Sequence, residues 1–123
     1  MLKKDSRYVI ITNNPAVASK YPNESRYVEG SVNKIFLAAR DAVHRGAKLI
    51  SHPLSGSIKP NESPYKSVVV NTATGPLDFK SLGIIEDAIS TLARLPDKMR
   101  NYDESTLEDF RIIDLDLMNH VNI

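Results

Sequence analysis

The stretch Tyr8-Val9-Ile10-Ile11-Thr12-Asn13-Asn14-Pro15 decides the fold class. Its first five residues are aromatic or β-branched and span the length of a strand. They do not alternate with polar residues. A strand apolar on both faces belongs in a sheet covered by helices on both sides, the usual setting of parallel strands. Asn13-Asn14-Pro15 ends the run, with Asn14 placed to cap a short helix and Pro15 suited to its first position. Tyr27-Val28 reads as a weaker strand, and the charged Arg26 and Glu29 beside it suit a sheet edge. Only roughly a dozen residues separate these strands, near the lower limit for a parallel crossover, so the direction of the second strand is the weak point.

Downstream, Gly30-Ser31 opens a helix in which Val32, Ile35, Phe36, Ala39 and Val43 form one apolar stripe. His44 and Arg45 occupy its last turn, where cations are favoured, and Gly46 can take the left-handed conformation that closes it. Ala47 to Ser51 reads as a strand around Leu49-Ile50, and Ser67-Val68-Val69-Val70-Asn71 as another buried strand. A helix from about Asp78 to Leu95 buries Leu82, Ile85, Ala88, Ile89 and Leu92 and stops before Pro96. In the last helix Ser105-Thr106-Leu107-Glu108 has the pattern of a capping box. Its stripe runs through Leu107, Phe110, Ile113, Leu117 and Val121. The alternation of strands and helices predicts one α/β domain over residues 1–123. Its sheet is expected to have about four mostly parallel strands with helices packed on both faces, a Rossmann-like three-layer architecture.

Composition bounds what such a domain can do. The chain has 123 residues, enough for one core without staples. Hydrophobic residues make up 41% and charged residues 25%, which places it among soluble globular proteins rather than disordered ones. Sixteen Lys and Arg against fifteen Asp and Glu leave a net charge of +1, no basis for a nucleic-acid-coating surface. The absence of Cys excludes disulfides, thiolate metal sites and cysteine nucleophiles. No apolar run reaches membrane-spanning length, and the opening Met1-Leu2-Lys3-Lys4-Asp5-Ser6-Arg7 lacks the apolar core of a secretory signal, so a cytoplasmic location is expected.

The chemistry-bearing segment is His52-Pro53-Leu54-Ser55-Gly56-Ser57-Ile58-Lys59-Pro60-Asn61-Glu62-Ser63-Pro64-Tyr65-Lys66. It is long for a connection inside a compact domain, and its prolines stiffen it. Open α/β sheets bind ligands beyond the carboxyl ends of their strands. Asn13, Asn14, His52, Ser55, Gly56, Ser57 and Lys59 are therefore expected to line one crevice, with Asn61 and Lys66 at its rim. Ser55-Gly56-Ser57 can form an anion-binding nest, with Lys59 or Lys66 supplying charge and Asn61 or the Tyr65 hydroxyl reading a polar group. That composition suits a small carboxylate or phosphate. The same composition also describes a rigid turn whose side chains cap their own backbone, and both readings stand.

Specific catalytic patterns are missing. His52 with Ser55 or Ser57 lacks the Gly-x-Ser-x-Gly frame and an orienting acid. The three His residues have no metal-ligand spacing, so no metal or cofactor is expected. Thr72-Ala73-Thr74-Gly75-Pro76 follows a strand but carries neither a dinucleotide nor a P-loop fingerprint, and reads as a connection with Asp78 as the next cap. His44 reads as a helix-end cation, and His120 as incidental. In the last helix Asp114 falls inside the apolar stripe, where an acid needs a partner or an aqueous edge. Ile112 and Leu115 fall outside the stripe, as in a homodimer contact or an imperfect helix face.

Thr12-Asn13-Asn14-Pro15, the run from His52 to Glu62, and Pro64-Tyr65-Lys66-Ser67 together resemble the GrdX family over nearly the whole chain. The resemblance implies a cytoplasmic setting in anaerobic amino-acid fermentation, beside the glycine reductase complex that handles glycine, sarcosine and betaine. It carries no catalytic residues with it. A chain without Cys cannot share in thiol chemistry, which favours an accessory or regulatory role. The expectation is thus a non-catalytic protein that binds a small anionic metabolite. The alternatives are a small enzyme with His52 as general acid or base and a module docking on a reductase subunit.

Overall fold

The central strand β1 (Tyr8–Thr12) is flanked by β2 (Ser25–Tyr27) on one side and β3 (Ser67–Asn71) on the other, giving the sheet order β2-β1-β3. The helices are α1 (Pro15–Lys20), α2 (Val32–His44), α3 (Phe79–Arg94) and α4 (Glu104–Asn119). The computed structural model describes residues 8–56, 58–98 and 101–121. β2 runs parallel to β1, with Ile11 opposite Arg26, and the six-residue helix α1 makes the crossover between them. Asn14 caps α1 by accepting from the Ala16 N–H, and Pro15 fills its first position.

The expected four-stranded, mostly parallel sheet is corrected on two counts. β3 is antiparallel to β1, with Thr12 opposite Ser67 and Tyr8 opposite Asn71. Residues 47–51 make one isolated bridge, Leu49 to Val70, rather than a strand. The reason for the first lies in the connection. A parallel return to the same sheet needs a crossover, usually helical, whereas residues 52–66 are an irregular loop that turns the chain back beside its starting edge. The second follows from side chains that take the ladder bonds. The Leu49 N–H donates to Ser81 Oγ on α3 at 3.0 Å, and the Lys48 N–H donates to Asn71 Oδ1 at 2.8 Å.

The two faces of the sheet follow from strand alternation. Ile11, Val68 and Val70 join Phe36, Ile35, Val43 and Ile85 in a core beneath α2 and α3, against which Leu82, Ile89 and Leu92 also pack. Tyr8, Ile10 and Val69 join Val17 of α1 and Met118 of α4 on the other side. Helices on both faces explain why β1 carries no polar alternation. Ser31 caps α2, and Gly46 behind it has φ of +110°. A Cβ at Gly46 would stand 2.4 Å from the Gly75 nitrogen, so the 72–75 connection is pressed onto the end of α2. Among the described residues no helix is long and apolar enough to cross a membrane.

The last helix also departs from expectation. Asp103, rather than Ser105, caps α4 by accepting from the Thr106 N–H at 2.8 Å. The buried line of α4 is Asp114 and Met118, with Leu115 and Val121 packed beside Met118. Phe110, Ile113 and Leu117 turn instead toward the loop before β3. α4 therefore meets apolar surface on two sides, the sheet and the loop, and Asp114 lies between them. Leu115 thus packs beside Met118, while Ile112 stays 54% exposed.

Candidate functional site

The carboxyl end of β1, the amino end of β3 and the later turns of α4 meet at one end of the sheet, because β3 is antiparallel. Asn13 follows β1 and is 5% exposed. Its Nδ2 donates to the carbonyls of Gly30 and Pro64, each at 2.8 Å, and its Oδ1 accepts from the Lys66 N–H at 2.7 Å. Asn14 is fully buried. Its Nδ2 donates to the Arg111 carbonyl at 2.9 Å and to Asp114 Oδ2 at 3.0 Å. These side chains hold backbone and Asp114 in place, so the structure engages both in the frame of the site rather than leaving them open to a crevice.

Asp114 is the chemical centre of that frame. Ser67 Oγ donates to its Oδ2 at 2.7 Å, and Thr12 Oγ1 stands 2.7 Å from the same hydroxyl. The carboxyl is 6% exposed, and burial raises its pKa above the ordinary range. Hydrogen bonds from Asn14 and Ser67, then the charge on Lys66, pull the other way without prevailing. Lys66 is 8% exposed, and burial lowers its pKa more than Asp114 raises it. Its Nζ reaches the Ser55 carbonyl at 3.4 Å, at the limit of a hydrogen bond. A buried ammonium thus faces a buried carboxyl, each displaced toward neutrality.

Two small clefts open on this pair, and Ser55, Lys66, Asp114 and Leu117 line both. The first, of about 20 Å³, adds Lys59, Tyr65 and Phe110. The second, of about 40 Å³, adds His52, Ser51 and Ser67. Each has room for ordered water. Of the expected site residues, the structure therefore brings His52, Ser55, Lys59 and Lys66 together. Gly56, with φ of +103°, lies against Leu117, which a Cβ would meet at 2.8 Å. Asn61 stands apart, donating to the Pro96 carbonyl at 2.8 Å. Ser57 lies outside the described residues.

His52 Nδ1 accepts from the Leu54 N–H at 3.1 Å. In the neutral ring the proton is then on Nε2, which makes that atom a donor rather than a base. Tyr65 is stacked under the Arg111 guanidinium, 5.6 Å from the ring centroid, and its hydroxyl accepts from Arg111 at 2.9 Å. Glu104 beside Arg111 fixes it in the charged form. Among the described residues no three His, Asp or Glu side chains gather as metal ligands. The arrangement can accept an anion at Lys66 and a cationic or hydrogen-bonding group at Asp114, with His52 beside the second cleft.

Sequence reasoning singled out Asp114 as an acid in an apolar stripe but missed Ser67 and Arg111. The signal for Ser67 was available in principle: a polar residue opening an otherwise apolar strand, beside Lys66. Arg111 offered none, since a charged residue on a helix face is ordinary.

The model of the GrdX-like protein family matches residues 9–122. No curated protein and no solved structure matches the chain.

Proposed function

The chain belongs to the GrdX-like protein family, and from that premise we propose that it is a non-catalytic accessory protein of glycine, sarcosine or betaine reduction that binds a small carboxylate metabolite beside Lys66. The observation that carries this reading is the buried Lys66 ammonium, held by one long contact to the Ser55 carbonyl and facing Asp114 across two water-sized clefts. Both groups bear the cost of desolvation without a close ion pair to offset it. A ligand with a carboxylate for Lys66 and an ammonium for Asp114 offsets it for both. Glycine and sarcosine have that pattern of charge. Ser55 and Lys66 line both clefts, and Lys59 adds charge to the first.

Two features favour binding over turnover. His52 Nδ1, the acceptor nitrogen, is already engaged by the Leu54 N–H, and the acid in reach, Asp114, is already bound to Ser67 and Asn14. The accessory role further proposes docking on a reductase component, for which the exposed Ile112 on α4 is the contact we would change. Copurification should then be lost in Ile112→Asp.

The test of the site is calorimetry and thermal unfolding with glycine, sarcosine, acetate and inorganic phosphate. Glycine at about 100 times its dissociation constant should stabilise by about 2.7 kcal/mol. Acetate should bind more weakly, because it leaves Asp114 unanswered, and Lys66→Met should abolish both responses. No response to any of the four would overturn the reading. Consumption of glycine by the purified chain, lost in His52→Ala, would establish the enzymatic alternative instead.

A further inference from the structure

Among the described residues Lys66 is the only buried lysine. Its Nζ lies 3.4 Å from the Ser55 carbonyl, and no carboxylate oxygen of a described residue stands within 4 Å of it. Ser55, Lys66 and Asp114 all border both small clefts. The amine is therefore not locked in an ion pair, and it has open space and an acid beside it. The two side-chain hydrogen bonds to Asp114, from Asn14 and Ser67, both fall on Oδ2. That leaves Oδ1 to carry the proton when the carboxyl is neutral. Burial lowers the Lys66 pKa and raises that of Asp114, which enlarges the share of free amine and of protonated acid together. A desolvated lysine amine is a nucleophile toward carbonyl carbon.

We propose that Lys66 captures a carbonyl compound, its amine forming a reversible Schiff base with an aldehyde of one or two carbons while Asp114 supplies the proton. The inference rests on the reading of the Lys66 clefts as a ligand site, and not on glycine as the ligand. The Lys66 lone pair attacks the carbonyl carbon, a C–N bond forms, and the carbonyl π pair moves to oxygen. One amine proton passes to that oxygen, giving a neutral carbinolamine. Asp114 then protonates the hydroxyl, which leaves as water as the C=N bond forms. Nothing is oxidised or reduced, and a neutral amine and acid become an iminium beside a carboxylate. The clefts, of about 20 and 40 Å³, limit the aldehyde to a small one. A covalent bond holds a ligand too small for contact area alone to retain.

The test is trapping of the full chain with limiting acetaldehyde and cyanoborohydride, which reduces the imine to an ethyl group on nitrogen, followed by intact mass and peptide mapping. A single ethyl group is expected at Lys66, gained at least about tenfold faster than at the exposed Lys20, Lys34 and Lys80. Without the reductant the adduct should be lost on dialysis. Asp114→Asn keeps an acceptor but no acid, and should slow trapping at Lys66 at least about tenfold while the exposed lysines react as before. Isobutyraldehyde should trap at the exposed lysines and not at Lys66. Labelling of Lys66 no faster than of the exposed lysines overturns the proposal, as does full rate in Asp114→Asn or equal capture of isobutyraldehyde. Glycine calorimetry on the same protein separates the two readings: glycine binding without trapping overturns the Schiff base alone, and trapping without glycine binding supports it while removing glycine as the ligand.

Discussion

Asp114 Oδ2 accepts from Ser67 and Asn14 while its carboxyl faces the Lys66 ammonium, so single changes here have distinct expected outcomes. Asp114→Ala strands both donors in the interior and should cost about 2–3 kcal/mol in urea unfolding. Asp114→Asn keeps an acceptor and should cost less. The pH dependence separates them further. The folded chain holds a proton on Asp114 above the ordinary carboxylate pKa of 3.8, so between that value and the raised one the folded state binds more protons than the unfolded. Stability contributed by this group is therefore full below 3.8 and falls as pH rises through that window. In Asp114→Asn this group's contribution to the slope should be lost. Lys66→Met removes the charge that pulls the Asp114 pKa down, and should extend the slope to higher pH. Urea midpoints measured across pH on wild type and the three variants check all of this, and an unchanged slope in Asp114→Asn would refute the assignment.

Among the elements, α4 gives the sharpest contrast between what periodicity reveals and what it hides. The capping-box pattern starts at Ser105, yet Asp103 accepts the first-turn N–H of Thr106, which holds the Asp103 carboxyl below its usual range. Asp103→Ala should lower the thermal midpoint, while Ser105→Ala should leave it in place. The reverse order would restore the sequence reading. The helices with one apolar side were legible in full: α2 with Ser31 and Gly46 at its ends, and α3 with Asp78 before it and Pro96 after. A helix packed on two sides was not, because two stripes overlap and blur each other's period. Leu115 read as an outward residue for that reason. The segment at 47–51 has a strand's composition, but whether its N–H groups meet a strand or Ser81 is a tertiary matter that composition cannot encode.

For the whole molecule, the covered sheet was legible from β1 alone, and the direction of β3 was not. Nothing in Ser67 to Asn71 states which way it runs; the irregular connection before it decides that, and it was read as a binding loop rather than as a reversal. That same reversal places Lys66 and Ser67 against Asn13 and Thr12, which is why His52, Ser55, Lys59 and Lys66 converged while Asn13 and Asn14 became frame. The larger core rests on Phe36, fully buried at the meeting of α2, α3 and the sheet. Phe36→Ala should cost about 3–5 kcal/mol, a large share of the 5–15 kcal/mol that holds a domain together, measured by denaturant titration. A loss under 1 kcal/mol would mean the core can collapse around the gap.

The polar cluster under α4 also has a temporal meaning. Thr12 and Ser67 lie 55 residues apart, and Asn14 and Asp114 lie 100 apart. As the chain leaves the ribosome, β1 stays unpaired on one edge until the 55 residues that separate Thr12 from Ser67 have followed. Asn14 waits longer still, since its carboxylate partner is made 100 residues later. A product stalled before β3 therefore exposes an apolar strand edge, and one stalled before α4 leaves the Asn14 amide without its two α4 acceptors. The contact that poises the site also serves as proof that translation reached the last helix.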